Sequence, residues 1–464
     1  MTVVPPTAPA SGRRPQGPQG PHVPPGPPRS LLRTVIYRPT RDPIQFFTTL
    51  ARTYGDVAYV EMGGERIYVL NDPADVRDVL VTNQRFFHKG RGLERSKRLL
   101  GQGLLTSEDE LHRRQRRLIQ PAFHRDRIAT YADVMTMYAD RVRSGWTDGQ
   151  IVDAAQEMNR LTLGIVGKTL FDADVEAQAR EVGEALTAVM ESFWTLMLPF
   201  ANLLEHLPVP ALRRSRAARA KLDAIIYGMI AERRQRPGDR GDLLSMLLLA
   251  QDEEAGGAGM SDQQVRDEAM TIFLAGHETT ANALAWLWHL LGQAPDVERR
   301  LHDEVDRVLG GRLPTLADVP SLSFVEQVVT EAMRLYPPAW IIGRRAVQDY
   351  RFREYLAPAG SLFIMSPYVM HRDARWFPDP ERFDPDRWTP EFKAALPPFA
   401  YLPFGGGARR CIGESFAWME LVLVASTIAQ QWRLTPVPGH PVVPQPVVTL
   451  RLKHGLQVVL SRRR

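Results

Sequence analysis

With one cysteine, Cys411, the chain of 464 residues cannot form an internal disulfide, and no Cys or His cluster beside it completes a zinc or iron–sulfur ligand set. A disulfide-stapled secreted scaffold is thereby excluded, and a reducing cytoplasm fits. No apolar run reaches the roughly 18 residues a membrane helix needs. Residues 1–30, rich in Pro, Gly and Arg, also lack the apolar core of a signal peptide. Cytoplasmic location without a membrane anchor is expected, with a disordered Pro/Gly-rich tail over 1–30 and one domain over 31–464. Charge is nearly balanced, since 58 Lys+Arg against 53 Asp+Glu leave +5, too little over this length to argue for nucleic acid. At 44% hydrophobic and 24% charged residues the composition is that of an ordinary globular protein. No internal repeat is present.

What stands out is Phe404-Gly405-Gly406-Gly407-Ala408-Arg409-Arg410-Cys411-Ile412-Gly413. A glycine-rich loop entering a helix leaves backbone N–H groups free. Those donors, the helix dipole and neighbouring arginine favour a thiolate at Cys411. A lone cysteine is more often a small buried hydrophobe; a lone thiolate nevertheless suffices to ligate haem iron. The spacing of Phe404, Gly407, Arg409, Cys411 and Gly413 resembles the haem-binding loop of the cytochrome P-450 family, of the soluble bacterial type. The resemblance implies a mainly α, single-domain fold with small peripheral β-sheets and haem b (iron protoporphyrin IX) held by Cys411. It also implies Phe404 packed beside the sulfur, Gly407 and Gly413 letting the backbone approach the ring, and Arg409 paired with a propionate.

Three further stretches match in order. A helix from Ser261 to Leu291 carries Ala275-Gly276-His277-Glu278-Thr279-Thr280, where glycine and adjacent threonines weaken the helix and permit local opening. The resemblance implies dioxygen on the side of Ala275 and Gly276, Thr279 beside it and Glu278 behind as proton source. His277 is expected on the surface or facing the helix, without a ligand role. Glu331 and Arg334, three apart on one helical face, match the family's Glu-x-x-Arg, with Arg382 in Pro380-Glu381-Arg382-Phe383 as the implied third member. His112 and Arg116 share a helical face and, with Arg344, are the implied propionate partners. Arg113, Arg114 and Arg117 turn outward; a basic run is usually a solvated face, and with no interleaved aromatics a nucleic-acid patch ranks last.

Around these motifs, a helix near 42–54, a hairpin about Gly63-Gly64 and a helix starting at Asn71-Asp72-Pro73 are expected. An irregular segment from Phe86 to Thr106 is expected to cover the substrate. Helices follow through 128–250, with an apolar stretch at 193–204 that is either core or pocket. The candidate pocket wall, Phe86, Phe87, Phe193, Ile272, Ala275, Trp340, Ile341 and Ile342, is apolar. It favours a terpenoid, with fatty acids or macrolides as alternatives. Monooxygenation with O2 and electrons from a separate ferredoxin and ferredoxin reductase is expected, docking at Arg113, Arg114 and Arg117. A haem-thiolate sensor would not need Ala275–Thr280, and a non-oxygenating rearrangement catalyst would typically lack the Thr279 alcohol.

Overall fold

The computed structural model describes residues 23–27, 42–172, 185, 210–252 and 257–463. Helices dominate it. The long central helix (Asp262–Leu291, here α6) starts where Ser261 and Gln264 form a reciprocal capping box. Its middle runs uninterrupted through Ala275–Thr280, so the local opening expected there is absent. Around α6 in chain order stand α1 (Pro43–Tyr54), α2 (Arg91–Leu100), α3 (Asp109–Ile119), α4 (Arg125–Ser144), α5 (Ala154–Phe171), α7 (Ser323–Leu335) and α8 (Glu414–Ala429). Helix α8 is apolar on nearly all sides, as a helix enclosed by others must be, and packs on α4, α6 and α7. The main core runs through these helices.

The principal sheet has the order β1 (Val57–Met62), β2 (Glu65–Leu70), β6 (Leu362–Met365), β5 (Ile342–Ala346), β3 (Phe87–Lys89). Its first two strands are the expected hairpin, paired from Val57↔Leu70 to Met62↔Glu65. Strand β6 joins β2 in parallel, so segments far apart in sequence share one ladder. A second sheet is ordered β7 (Trp432–Pro436), β8 (Gln457–Arg462), β4 (Ile151–Asp153). As expected, Asp42 and Asp72 cap helices that begin with Pro43 and Pro73.

Two expectations about organisation change. The segment 86–106 is not irregular: it holds β3 and α2. Its Gly90 serves close strand approach, because a Cβ there would lie 2.9 Å from the Gly343 Cα. Within the expected tail, residues 23–27 lie against β1, with the Tyr59 N–H donating to the Pro25 carbonyl at 2.9 Å. The rest of 1–30 and the start at Leu31 lie outside the described residues, as do Phe193 and the stretch 193–204. No helix among the described residues is long and apolar enough to cross a membrane.

Candidate active site

The loop preceding α8 is clamped into one shape. The Cys411 N–H donates to the Phe404 carbonyl at 3.0 Å, closing the segment from Phe404 to Cys411 on itself. Gly407 has φ +69°, and a Cβ there would fall 1.8 Å from the Leu80 carbonyl oxygen, so no side chain fits. The Phe404 ring lies beside Trp418, centroids 5.6 Å apart. Cys411 has an accessible side chain. Burial of the surrounding loop pushes its thiol up to about 11, against the opposing pull of the Gly413 N–H, Arg116 and Arg410. The Gly413 N–H, Arg116 and Arg410 favour the anion, and haem iron, which deprotonates a thiol ligand, would hold this sulfur as thiolate.

A second feature is a knot of buried cations. Strand pairing sets Lys89 opposite Arg344. The Lys89 Nζ donates to the Leu104 carbonyl at 2.8 Å and stands 3.4 Å from the His112 Nδ1. Arg409 donates to the Phe87 carbonyl at 3.0 Å and to Glu108 at 2.5 Å, while its buried Nε has no partner among the described residues. Burial, ahead of repulsion by Arg409, lowers Arg344 to about 10. Burial lowers Lys89 to about 7, with Glu108 opposing, and His112 to about 4, with Lys89 adding to the fall. Lys89, Arg344 and Arg409 share Glu108, and Glu268 acts on Lys89 besides. Such a surplus, with a guanidinium N–H left over, fits the two carboxylates of a haem. Arg116 does not join this knot: its Nη1 donates to the Arg410 carbonyl at 2.7 Å, bracing the cysteine loop. Lys89 and Glu108 carry no motif and were not found from sequence.

Helix α6 presents its other functional face by simple periodicity. Ala275 is exposed and Gly276 and Thr279 are half-buried, while His277, Glu278 and Thr280 turn into protein. The Thr279 Oγ1 donates to the Ala275 carbonyl at 2.8 Å. A Cβ on Gly276 would stand 3.1 Å from Val166, so this glycine also lets α6 approach α5. Of the two places expected for His277 the structure shows the second: it is buried and faces its own helix, with Nδ1 2.7 Å from the Phe273 carbonyl. Glu278 accepts from Arg451 at 2.7 Å and from the Thr449 hydroxyl. Burial would raise its carboxyl, but Arg451 and Thr449 outweigh that and hold it low. Its side chain is thus committed to Arg451 and Thr449 on the buried side of α6, whereas Thr279 is half-buried.

Behind the cysteine loop lies the third assembly. Both Glu331 oxygens take Arg334, Nε and Nη2 each at 2.8 Å, with both side chains fully buried. The third member is Arg387, whose Nε donates to Glu331 at 3.0 Å, joined by Trp388 at 2.9 Å. Arg382 is exposed and offers only its carbonyl, 3.0 Å from the Arg334 Nη2. The expected arginine was thus the wrong one of two in a short loop.

The candidate wall also needs revision. Phe87 is 1% exposed, with its ring 4.7 Å from Tyr350 and 5.2 Å from Phe363 in the sheet's own core, and Phe86 packs on that cluster. Trp340 is buried and donates to the Val447 carbonyl at 3.0 Å. Ile272 is buried in the helical core. Ile341 and Ile342 are half-buried, and Ile342 reaches the loop at Gly405.

Comparison with known proteins agrees with this architecture. The family model for cytochrome P450 matches residues 23–458. Cyclooctatin synthase of Streptomyces melanosporofaciens is 43% identical over 88% of this chain and 89% of its own length. The cyclooctat-9-en-7-ol 5-monooxygenase of the same organism is 40% identical over 86% of each. Pentalenene oxygenase of Streptomyces avermitilis is 37% identical over 91% of this chain and 94% of its own. Among solved structures, a retinoic-acid-bound cyanobacterial P450 superposes with TM-score 0.86 at 26% identity, covering 96% of this chain and all of that one. Match, site and fold together place the chain in the cytochrome P450 family, as a haem b monooxygenase.

Proposed function

We propose that this monooxygenase oxidises a terpenoid, with electrons delivered by a separate ferredoxin and its reductase. The observation that carries the terpenoid reading is the 37–43% identity, over most of each chain, to three enzymes that oxidise terpenoids. The apolar helix face at Ala275 and the half-buried Ile341 and Ile342 support it by offering contact without charge.

Haem b bound through Cys411 supplies dioxygen activation and C–H oxidation. The chain's own residues set the conditions. Phe404 and the closed loop hold the sulfur, and Arg344, Arg409, Lys89 and His112 would take the propionates. Thr279 keeps its Oγ1 proton on the Ala275 carbonyl and, when the hydroxyl rotates, would offer it as a hydrogen bond on the accessible face, where the haem would supply its chemistry. Glu278, anchored by Arg451 and Thr449, fixes the helix from behind.

A groove of about 520 Å³ beside the cysteine loop supports the donor reading. Arg113, Arg116, Arg117, His124 and Ala408 are among its lining residues. Arg113 and Arg117 are exposed there, whereas Arg114 does not line it. A concave basic surface next to the sulfur suits an acidic electron carrier.

Titration of the haem protein with terpenoid hydrocarbons, terpenoid alcohols, fatty acids and macrolides, followed by the haem absorption band, tests the substrate class. Terpenoids should give the spectral shift of water displacement at the lowest concentrations. Tighter fatty-acid or macrolide binding would refute the terpenoid assignment.

A further inference from the structure

The cysteine loop is tied to the rest of the protein by two side chains that belong to none of the motifs. Its backbone begins to turn at Leu402, whose N–H donates to the Nε2 of His371 at 3.0 Å. His371 is fully buried, and its own carbonyl accepts from the Arg334 Nη1 at 2.8 Å. One residue therefore touches both the Glu331–Arg334 assembly and the first strand of the loop. Burial, then repulsion from Arg334, holds the imidazole well below its usual range, so the ring is neutral. A neutral ring accepts at one nitrogen only. Its Nδ1 has no partner among the described residues, which leaves Nε2 as the acceptor and Nδ1 with the hydrogen. Tyr401, 4.9 Å away between centroids, packs on the ring.

At the other end of the loop the Ala408 N–H donates to the Gln84 Oε1 at 2.8 Å. Leu402 and Ala408 bracket the three glycines. A glycine-rich segment has the most conformational freedom to lose, so two fixed points on either side of it determine where Cys411 ends up.

We propose that His371 and Gln84 are positioning residues for the haem ligand: each supplies an acceptor for one loop N–H, and together they hold the Cys411 sulfur in the place where thiolate ligation persists. His371 additionally transmits the rigidity of the Glu331–Arg334–Arg387 assembly to the loop through one residue. The acceptor, rather than the bulk of the ring, carries this role.

The test uses the full-length haem protein. His371→Phe keeps the ring volume against Tyr401 and removes the acceptor, while His371→Gln places an amide oxygen close to the position of Nε2. Haem content per chain and the carbon monoxide spectrum of the reduced protein are read for both. In His371→Phe the ratio of unshifted to red-shifted Soret band should rise about tenfold, the factor expected for one stranded buried N–H. In His371→Gln it should return towards wild type. An unchanged ratio in His371→Phe, or a Gln variant no better than Phe, overturns the proposal. If His371→Phe does not accumulate, Gln84→Leu and Gln84→Glu read the clamp from its other end. Loss of the red-shifted band in the first and its return in the second supports the assignment; equal spectra in the two overturn it.

Discussion

Replacing Arg387 and Arg382 separately by alanine decides which arginine completes the assembly behind the cysteine loop. Arg387 is mostly buried and gives the fully buried Glu331 one charged hydrogen bond at 3.0 Å, and the Pro378 carbonyl another at 2.8 Å. Hydrogen bonds to charged groups contribute about 1.5–3 kcal/mol each. Glu331 keeps Arg334, Trp388 and the Asp384 N–H after the change, so it is not left as an unpaired buried charge. The loss for Arg387→Ala is therefore about 3 kcal/mol, at the low end of the ~3–5 kcal/mol of a fully broken buried pair and large against a total stability of about 5–15 kcal/mol. Arg382→Ala removes an exposed side chain and leaves the carbonyl that Arg334 uses, so it should stay within about 0.5 kcal/mol. Urea unfolding followed by circular dichroism, with haem retention measured in parallel, separates the two. A loss in Arg382→Ala equal to or greater than that in Arg387→Ala would refute the pairing described here.

Cys411→Ser should abolish the red-shifted Soret band of the reduced carbon monoxide complex, and persistence of that band would falsify thiolate ligation at this position. Thr279→Ala should retain haem and substrate binding yet release more peroxide and less product per reductant consumed; unchanged coupling removes Thr279 from proton delivery. Arg113→Glu combined with Arg117→Glu should slow ferredoxin-driven turnover and flatten its salt dependence, leaving peroxide-driven turnover nearly unaltered. A fall in both routes would instead mean a damaged haem site. Glu278 is held below its ordinary range when folded, so its ion pair stabilises above the unfolded value and that stability is lost as pH falls through the folded one. Glu278→Gln should therefore shrink the acid limb of the stability profile, and an acid limb equal to wild type would show that Arg451 gains nothing from the charge.

The parts legible in the sequence were those whose chemistry is local. The helix start at Ser261, the two-glycine hairpin and the spacing from Phe404 to Gly413 each fit within one turn, helix end or loop. Their partners are neighbours in the chain. What stayed hidden depended on contacts between distant segments. Arg382 and Arg387 are both arginines in one proline-broken loop, and only the approach of α7 selects the second. The aromatic pair Phe86 and Phe87 was assigned to the wall by its place in the chain, yet β3 pairs with β5 and thereby turns Phe87 into the sheet's core. Four glycines made 86–106 look irregular, although at Gly90 the reason for glycine is a second strand passing against it. Lys89 and Glu108 belong to no pattern because their role arises from an imbalance of buried charge, which no single stretch reveals.

The parallel pairing of β6 on β2 has a consequence for biosynthesis. At elongation rates of about 5–20 residues per second, strand 362–365 leaves the ribosome on the order of tens of seconds after strand 65–70. Until then the β2 segment with Tyr68, Val69 and Leu70 has no β6 to pair with, and any edge it forms is an apolar template for other strands. The cysteine loop is translated later still. Haem capture is therefore a late event, and high expression temperature or crowded ribosomes should divert chains into aggregates before the prosthetic group can act on them. Lowering the rate of initiation, and so the number of unfinished chains present together, is the intervention this topology favours over adding haem precursor.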